Sequence, residues 1–263
     1  MIITCSRQAL SEAANHVSRV VSAKSPLAAL TGILLTAKGG RLKLSGYDLE
    51  LGIVTEIDAN VEQAGKIVVD ARLFCDIVRR LPDEKVMLSV NERNLCQIVS
   101  GKAMFSLVGI NADEYPEMPS VEDGKSVTIA ADILESMVRQ TIFSTGDPNG
   151  SKPVLSGIKY EIGGGEIKLI AVDGFRLAVR KEKLDTDREL SFIVPAKAMS
   201  EVLKLSAGEG EIKLNVSNRH IIFEIGGYEV ISRLLEGEFI DYKRTIPVNV
   251  CTKVTANTAD MID

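Results

Sequence analysis

The sequence contains no tryptophan, only two histidines and four scattered cysteines, and these shortages exclude much chemistry at once. Neither His16 nor His220 has a Cys, Asp or second His at ligand spacing, so a zinc site has no material to form from. Cys5, Cys75, Cys96 and Cys251 fit neither a metal pattern nor a disulfide framework and read as reduced packing residues. No window approaches the roughly 20 apolar residues of a membrane span. The opening "MIITCSRQALSEAANHVSRVV" has no basic leader with a long apolar run, which predicts a cytosolic protein. A nucleophile elbow and a phosphate loop are both missing, since "IGGGEI" leads into a strand pattern and its glycines make a turn. The net charge of −5 argues against a broad basic face for nucleic acid, though not against a locally basic surface.

What remains is an ordinary globular composition, 45% hydrophobic and 25% charged, whose 5% aromatic content implies cores of Leu, Ile, Val and Ala. At 263 residues the chain is long enough for two domains. Self-similarity divides it. "LTGILLTAKGGRLKLSGYD" (30–48) lies without a gap over "LSGIKYEIGGGEIKLIAVD" (155–173), pairing Gly32 with Gly157 and Asp48 with Asp173 at a separation of 125 residues. One residue more carries "VMLSVNERNLCQIVSG" (86–101) onto "IKLNVSNRHIIFEIGG" (212–227), and "EYPEMP" at Glu114 answers "DYKRTI" at Asp241. Two copies of one domain are therefore expected at 1–121 and 122–248. The remaining 249–263, with "CTKVTANTADMID", reads as the first strand and helical residues of a third copy.

Within each copy, period-two alternation as in "GRLKLSGYDLEL" and "EIKLNV", broken by Gly-Gly and Asn- or Ser-rich junctions, predicts antiparallel meanders. Two one-sided helices accompany them: "RQALSEAANHVSRVV" and "DARLFCDIVRRLP", with Asp70 as N-cap, in the first copy, and "ADILESMVRQTI" and "PAKAMSEVLKLS", with Pro195 at the first helical position, in the second. Sheets with one face to cover and helices to cover it give an α+β fold of tandem domains, sheets on one side and two helices per copy on the other. The four helical stretches hold eight basic and five acidic residues, a net +3 against −8 for the rest. That is compatible with a basic lining or with a solvated face.

One stretch resists simple reading. "IAVDGFRLAV" (170–179) looks like a buried strand interrupted by Asp173-Gly174. Asp48 and Asp173 occupy equivalent positions of separate copies, so capping the same turn twice suits them better than facing each other as catalytic carboxylates. A non-catalytic protein is the inference.

The runs "KPVLSGIKYE", "LIAVDGFRLAV", "FIVPAKAMSEVLKL" and "LLEGEFIDYKRTIP", in this order and spacing, resemble the bacterial DNA sliding clamp, the beta subunit of DNA polymerase III. The resemblance spans the chain. It implies clamp domains, three to a protomer, closing head to tail in a two-protomer ring around duplex DNA, with helices lining the hole and no cofactor. DNA contact falls by resemblance to Lys24, Arg79, Arg80, Lys152 and Lys197, although Arg79 and Arg80 also suit the C-terminal dipole of their helix. A pocket for short Leu- and Phe-bearing peptides of polymerases and loaders falls to Leu155, Val172, Gly174, Phe175, Arg176, Leu177, Ile240, Arg244 and Thr245. Ile240 stands where the family commonly has Pro. With nearly all of a third domain missing, this chain is expected to be monomeric and unable to close a ring. The alternatives are a peptide-binding adaptor without a DNA role, or an enzyme working through Asp48 and Asp173. Since Gly174, Phe175 and Arg176 are peculiar to the second copy, a function grafted onto one repeat is expected there.

Overall fold

The computed structural model describes every residue except 122, 123, 248, 250 and 263, so the expected boundaries at 121/122 and 248/249 fall beside residues outside the described set. The first copy folds as β1 (Ile2–Ser6), α1 (Arg7–Ser18), β2 (Gly32–Lys38), β3 (Arg41–Tyr47), β4 (Leu51–Gln63), β5 (Gly65–Asp70), α2 (Ala71–Arg79), β6 (Lys85–Val90), β7 (Leu95–Ser100) and β8 (Ala103–Val108). The second follows as β9 (Lys125–Ala130), α3 (Ala131–Arg139), β10 (Gly157–Gly163), β11 (Glu166–Val172), β12 (Leu177–Lys183), β13 (Leu190–Pro195), α4 (Ala196–Ser206), β14 (Glu211–Val216), β15 (His220–Ile225) and β16 (Tyr228–Arg233). The order is that of two α+β clamp domains, all strand pairs being antiparallel.

Local chemistry sets the helix starts. Ser6 Oγ accepts the Ala9 N–H at 3.4 Å ahead of α1, and Asp70 Oδ1 accepts the Leu73 N–H at 2.8 Å ahead of α2. Pro195 stands one residue earlier than expected, closing β13 at the N-cap of α4, where its missing N–H costs nothing. The helices bury Leu10, Ala14, Val17, Phe74, Leu134, Met137, Met199 and Val202 against the sheets.

The repeat corrects itself in one place. Strand registers place β6 and β14 126 residues apart, but the hairpin between β14 and β15 has three residues, 217–219, where its counterpart has four, 91–94. From there the separation returns to 125, so buried Cys96 and Ile98 match buried Ile221 and Phe223. Running an ungapped 126 through to Gly227 would have turned β15 over, because one residue of slip exchanges the two faces of a strand.

The two copies share a sheet. β4 pairs through Leu51–Thr55 with Ser232–Tyr228 of β16 and through Ala59–Gln63 with β1, giving the path β8-β7-β6-β1-β4-β16-β15-β14-β9 across both domains. β12 stops at Lys183 and ends a separate four-stranded sheet, β12-β11-β10-β13.

Two expectations fail at the C-terminal end. The described residues between 251 and 262 form no strand, only a short helical turn at Ala259–Met261, and all are exposed. An alternating segment has no strand conformation of its own without a neighbour to bond to. Cys251 is exposed with them, so it is not a packing residue, unlike buried Cys5 and Cys96 and half-buried Cys75, whose Sγ lies 3.4 Å from the Ala14 carbonyl. Burial pushes the Cys5 thiol up to about 12 and Cys96 to about 11. An aromatic disulfide reagent is therefore expected to titrate Cys251 rapidly in the native protein and the other three only after denaturation. Rapid labelling of a Cys251→Ser variant would contradict this arrangement.

Candidate functional site

The Asp173 turn is a true hairpin turn between β11 and β12. Asp173 Oδ1 accepts the N–H groups of Phe175 and Arg176 at 3.0 and 3.1 Å, and its Oδ2 accepts Arg176 Nε at 2.8 Å. The Phe175 N–H first, then the Arg176 side chain, hold this carboxyl below the usual range. Gly174 takes φ +97°. In the first copy Asp48 Oδ1 likewise accepts from Glu50 and Leu51 at 3.0 and 2.7 Å, and Leu49 occupies the glycine's place at φ +78°. A leucine in that region carries strain of about 1–2 kcal/mol. The Tyr47 hydroxyl, donating to the Leu49 carbonyl at 3.0 Å, helps to hold it there. The two turns have the same length, since Tyr47 pairs with Gly52 as Val172 pairs with Leu177, so Leu51 and not a later residue answers Arg176.

Beneath the second turn lies a small apolar cluster of Leu155, Ile170, Val172, Ile193, Phe239 and Tyr242, with Leu177, Leu235 and Ile240 half-buried against it. It brings together four of the pocket residues expected from the sequence, Leu155, Val172, Leu177 and Ile240. Gly174, Phe175 and Arg176 form the exposed turn at its edge. Arg244 and Thr245 stand on the exposed helical turn Tyr242–Thr245 that follows Ile240, with Arg244 paired to Asp241 at 2.9 Å. The sequence reading missed Phe239 and Tyr242. Tyr242 donates to Glu161 Oε2 at 3.0 Å, and burial with that carboxylate raises its hydroxyl to about 12. Their signal was present in "EFIDY", two aromatics three residues apart in a loop, in a chain with few aromatics.

The first copy contains a corresponding cluster. Ala29, Leu30, Tyr47, Val68 and Tyr115 are buried together, with Ile110 and Met118 packed on them. At the repeat separation Leu30 answers Leu155, Val68 answers Ile193 and Ile110 answers Leu235. Tyr47, however, answers Val172, and Met118 answers Thr245 by the step that matches Tyr115 with Tyr242. Exchanges run both ways: these two large side chains become small ones, while Ser45, Ala112 and Ala29 are answered by the larger Ile170, Phe239 and Val154, so the second cluster is filled from a different side.

The cationic residues lie apart from this cluster. Lys24 is exposed in the loop after α1, Arg80 caps the C-terminus of α2 and Lys152 precedes the helical turn Pro153–Ser156; none of them has an ion-pair partner among the described residues. Arg79 pairs with Asp76 at 2.7 Å, and Lys197 at the start of α4 reaches across the domain junction to Asp48 Oδ2. Lys197 shares with Leu51, Pro148 and Pro153 a cleft of about 520 Å³ between the domains. His16 on α1 stacks obliquely on Tyr228 with ring centroids 4.9 Å apart; burial, then Arg19, lower its pKa, so it adds no charge to the helical face at neutral pH.

Residues 1–119 match the family model of the DNA polymerase III beta subunit N-terminal domain, and 128–241 match that of its central domain. The beta sliding clamp of Bacillus subtilis (strain 168) is 32% identical over the whole of this chain, which spans 72% of that protein. The crystal structure of the DNA polymerase sliding clamp from Bacillus subtilis superposes with a TM-score of 0.92 at 31% identity, covering 95% of this chain and 68% of that one. A putative DNA polymerase III beta subunit from Eubacterium rectale gives 0.90 at 32% identity, covering 95% and 69%. The doubled α+β domain, the asymmetry between its two turns and these matches lead to one conclusion: the chain belongs to the beta sliding clamp family of bacterial DNA polymerase III, the non-catalytic processivity subunit.

Proposed function

We propose that the helical face of this clamp protein lies against duplex DNA and that the apolar cluster around Leu155 and Val172 of the second domain takes a short peptide from polymerases and their loader. The observation that carries the peptide site is the exposed Phe175–Arg176 turn at the edge of an apolar cluster that has Val172 and Thr245 where the first copy has Tyr47 and Met118. Leu155, Val172 and Leu177 would receive apolar side chains, while Arg176 and Arg244 at the rim would meet carboxylates or carbonyls. In a protomer long enough to close a ring, β8 would meet the partner protomer: it exposes Met104, Phe105 and Val108 and, among the described residues, pairs along its length only with β7.

For DNA, the reading assigns contact to Lys24, Arg79, Arg80, Lys152 and Lys197. The charges suit sliding, because a lining whose cations are partly neutralised tolerates phosphates without gripping them. Anisotropy of a short labelled duplex against salt tests the face. Arg79→Glu with Arg80→Glu is expected to weaken binding and flatten the slope of log K against log salt by about 0.9 for each phosphate that is no longer neutralised. Asp48→Asn is expected to strengthen binding by releasing Lys197. An unchanged slope in the double variant would remove α2 from the DNA face.

A further inference from the structure

We infer that Phe143 belongs to the peptide site as the aromatic seat that positions the Arg176 guanidinium, an inference that rests on the peptide-binding reading above. Phe143 lies in the helical turn Ile142–Ser144 beyond α3, between half-buried Ile142 and buried Ser144, yet its own side chain is 56% exposed. A single exposed phenylalanine calls for no explanation. Here it has company. Phe175 is 100% exposed in the neighbouring turn, and Arg176 extends to Phe143 with its guanidinium carbon 5.6 Å from the ring centroid.

Arg176 is thereby held on two sides. Its Nε donates to Asp173 Oδ2 at 2.8 Å, and its plane lies within reach of the Phe143 ring, whose π face attracts cations. The two terminal nitrogens donate to no protein group among the described residues. A guanidinium fixed at one edge and seated on a ring keeps few rotamers, and its free edge is pre-oriented for a carboxylate. The first copy has no such arrangement. The matching places, the end of α1 and the Asp48 turn, carry Ser18, Arg19, Glu50 and Leu51. Among the described residues this aromatic–cation pair thus occurs only in the second copy, at the edge of the cluster around Leu155 and Val172.

Phe143 is a positioning residue in this account, acting through Arg176. Two measurements on the 263-residue chain test it. In side-chain proton spectra, the ring current of Phe143 should shift the Arg176 δ-methylene and Nε protons upfield, and Phe143→Leu should return them to ordinary positions. Unshifted protons in the wild type overturn the seat whatever the variants do. In anisotropy titrations, the probe is a labelled short peptide carrying Gln, Leu and a C-terminal Phe, as free acid and as amide. Phe143→Leu should weaken the free acid by about two- to fivefold and leave the amide unchanged, while Phe143→Tyr, which keeps the ring, should bind as wild type. Arg176→Ala should erase the preference for the free acid. If Arg176→Ala erases it and Phe143→Leu does not, the peptide site stands and the seat falls. If the wild type binds neither peptide, the peptide-site reading itself fails and takes this inference with it.

Discussion

Replacing Val172 with tyrosine is expected to weaken peptide binding by about 10- to 100-fold, at a cost in stability of about 1–3 kcal/mol because Ile170 and Phe239 are larger than the first copy's Ser45 and Ala112. The magnitude follows from the loss of one apolar anchor, since fully burying a side chain of leucine size contributes about 1.5–3 kcal/mol. The direction follows from the molecule's own first copy, where Tyr47 stands in the same register opposite Gly52 and is accommodated at 6% exposure. A tyrosine in place of Val172 would meet Leu155 for Leu30, Ile193 for Val68 and Leu235 for Ile110, with Ile170 and Phe239 larger than the first copy's Ser45 and Ala112. Its ring would fill the space that a peptide side chain needs. Titration with the Gln-, Leu- and Phe-bearing peptide, beside thermal unfolding, separates the outcomes. Binding that survives in a folded variant would mean that the cluster is ordinary core.

The repeat was legible because its glycines and alternation recur at nearly constant spacing, and the helices because their apolar faces and the Asp70 cap are local features. Asp173 was readable as a turn residue for the same reason. Pairing between copies was not. The bonds from β4 to β16 join Leu51–Thr55 to Tyr228–Ser232, and a strand's own alternation carries no record of which neighbour it meets. The slip at 217–219 was hidden because Ile221 and Ile222 are both apolar, and only burial of one and not the other fixes the face. Phe143 and Asp48 escaped notice as partners for a different reason. Each is ordinary in sequence and takes its meaning from a cation brought to it by folding, Arg176 in one case and Lys197 in the other.

On the proposed DNA reading, ion pairs on the helices account for weak contact. Arg79 is matched by Asp76, Arg139 by Glu135, Lys204 by Glu201 and Lys197 by Asp48. Most of these pairs are solvent-exposed and contribute little to stability, but each tempers a charge that would otherwise bind phosphate firmly. The exposed Lys24, Arg80 and Lys152 would then be left to supply the attraction.

The second large effect concerns the glycines that the two copies share. A Cβ on Gly157 would lie 2.6 Å from the Val194 carbonyl oxygen and 2.7 Å from Leu235 Cδ1; a Cβ on Gly32 would lie 2.6 Å from the Val69 carbonyl oxygen. In both copies the nearest immovable atom is the backbone of the adjoining strand, β13 or β5, so relief requires the strands to part. Alanine at either position is expected to cost about 1–3 kcal/mol, as overpacked cores do, and denaturant midpoints should report it for both. The functional consequences should differ. Gly157 sits two residues from Leu155 and against Leu235, both in the cluster around Val172, whereas Gly32 adjoins the cluster around Tyr47. Gly157→Ala should therefore weaken the peptide as well as the fold, and Gly32→Ala, at equal cost in stability, should leave peptide affinity unchanged. Equal losses of affinity from both variants would mean that the second cluster responds only to global loosening and has no role of its own.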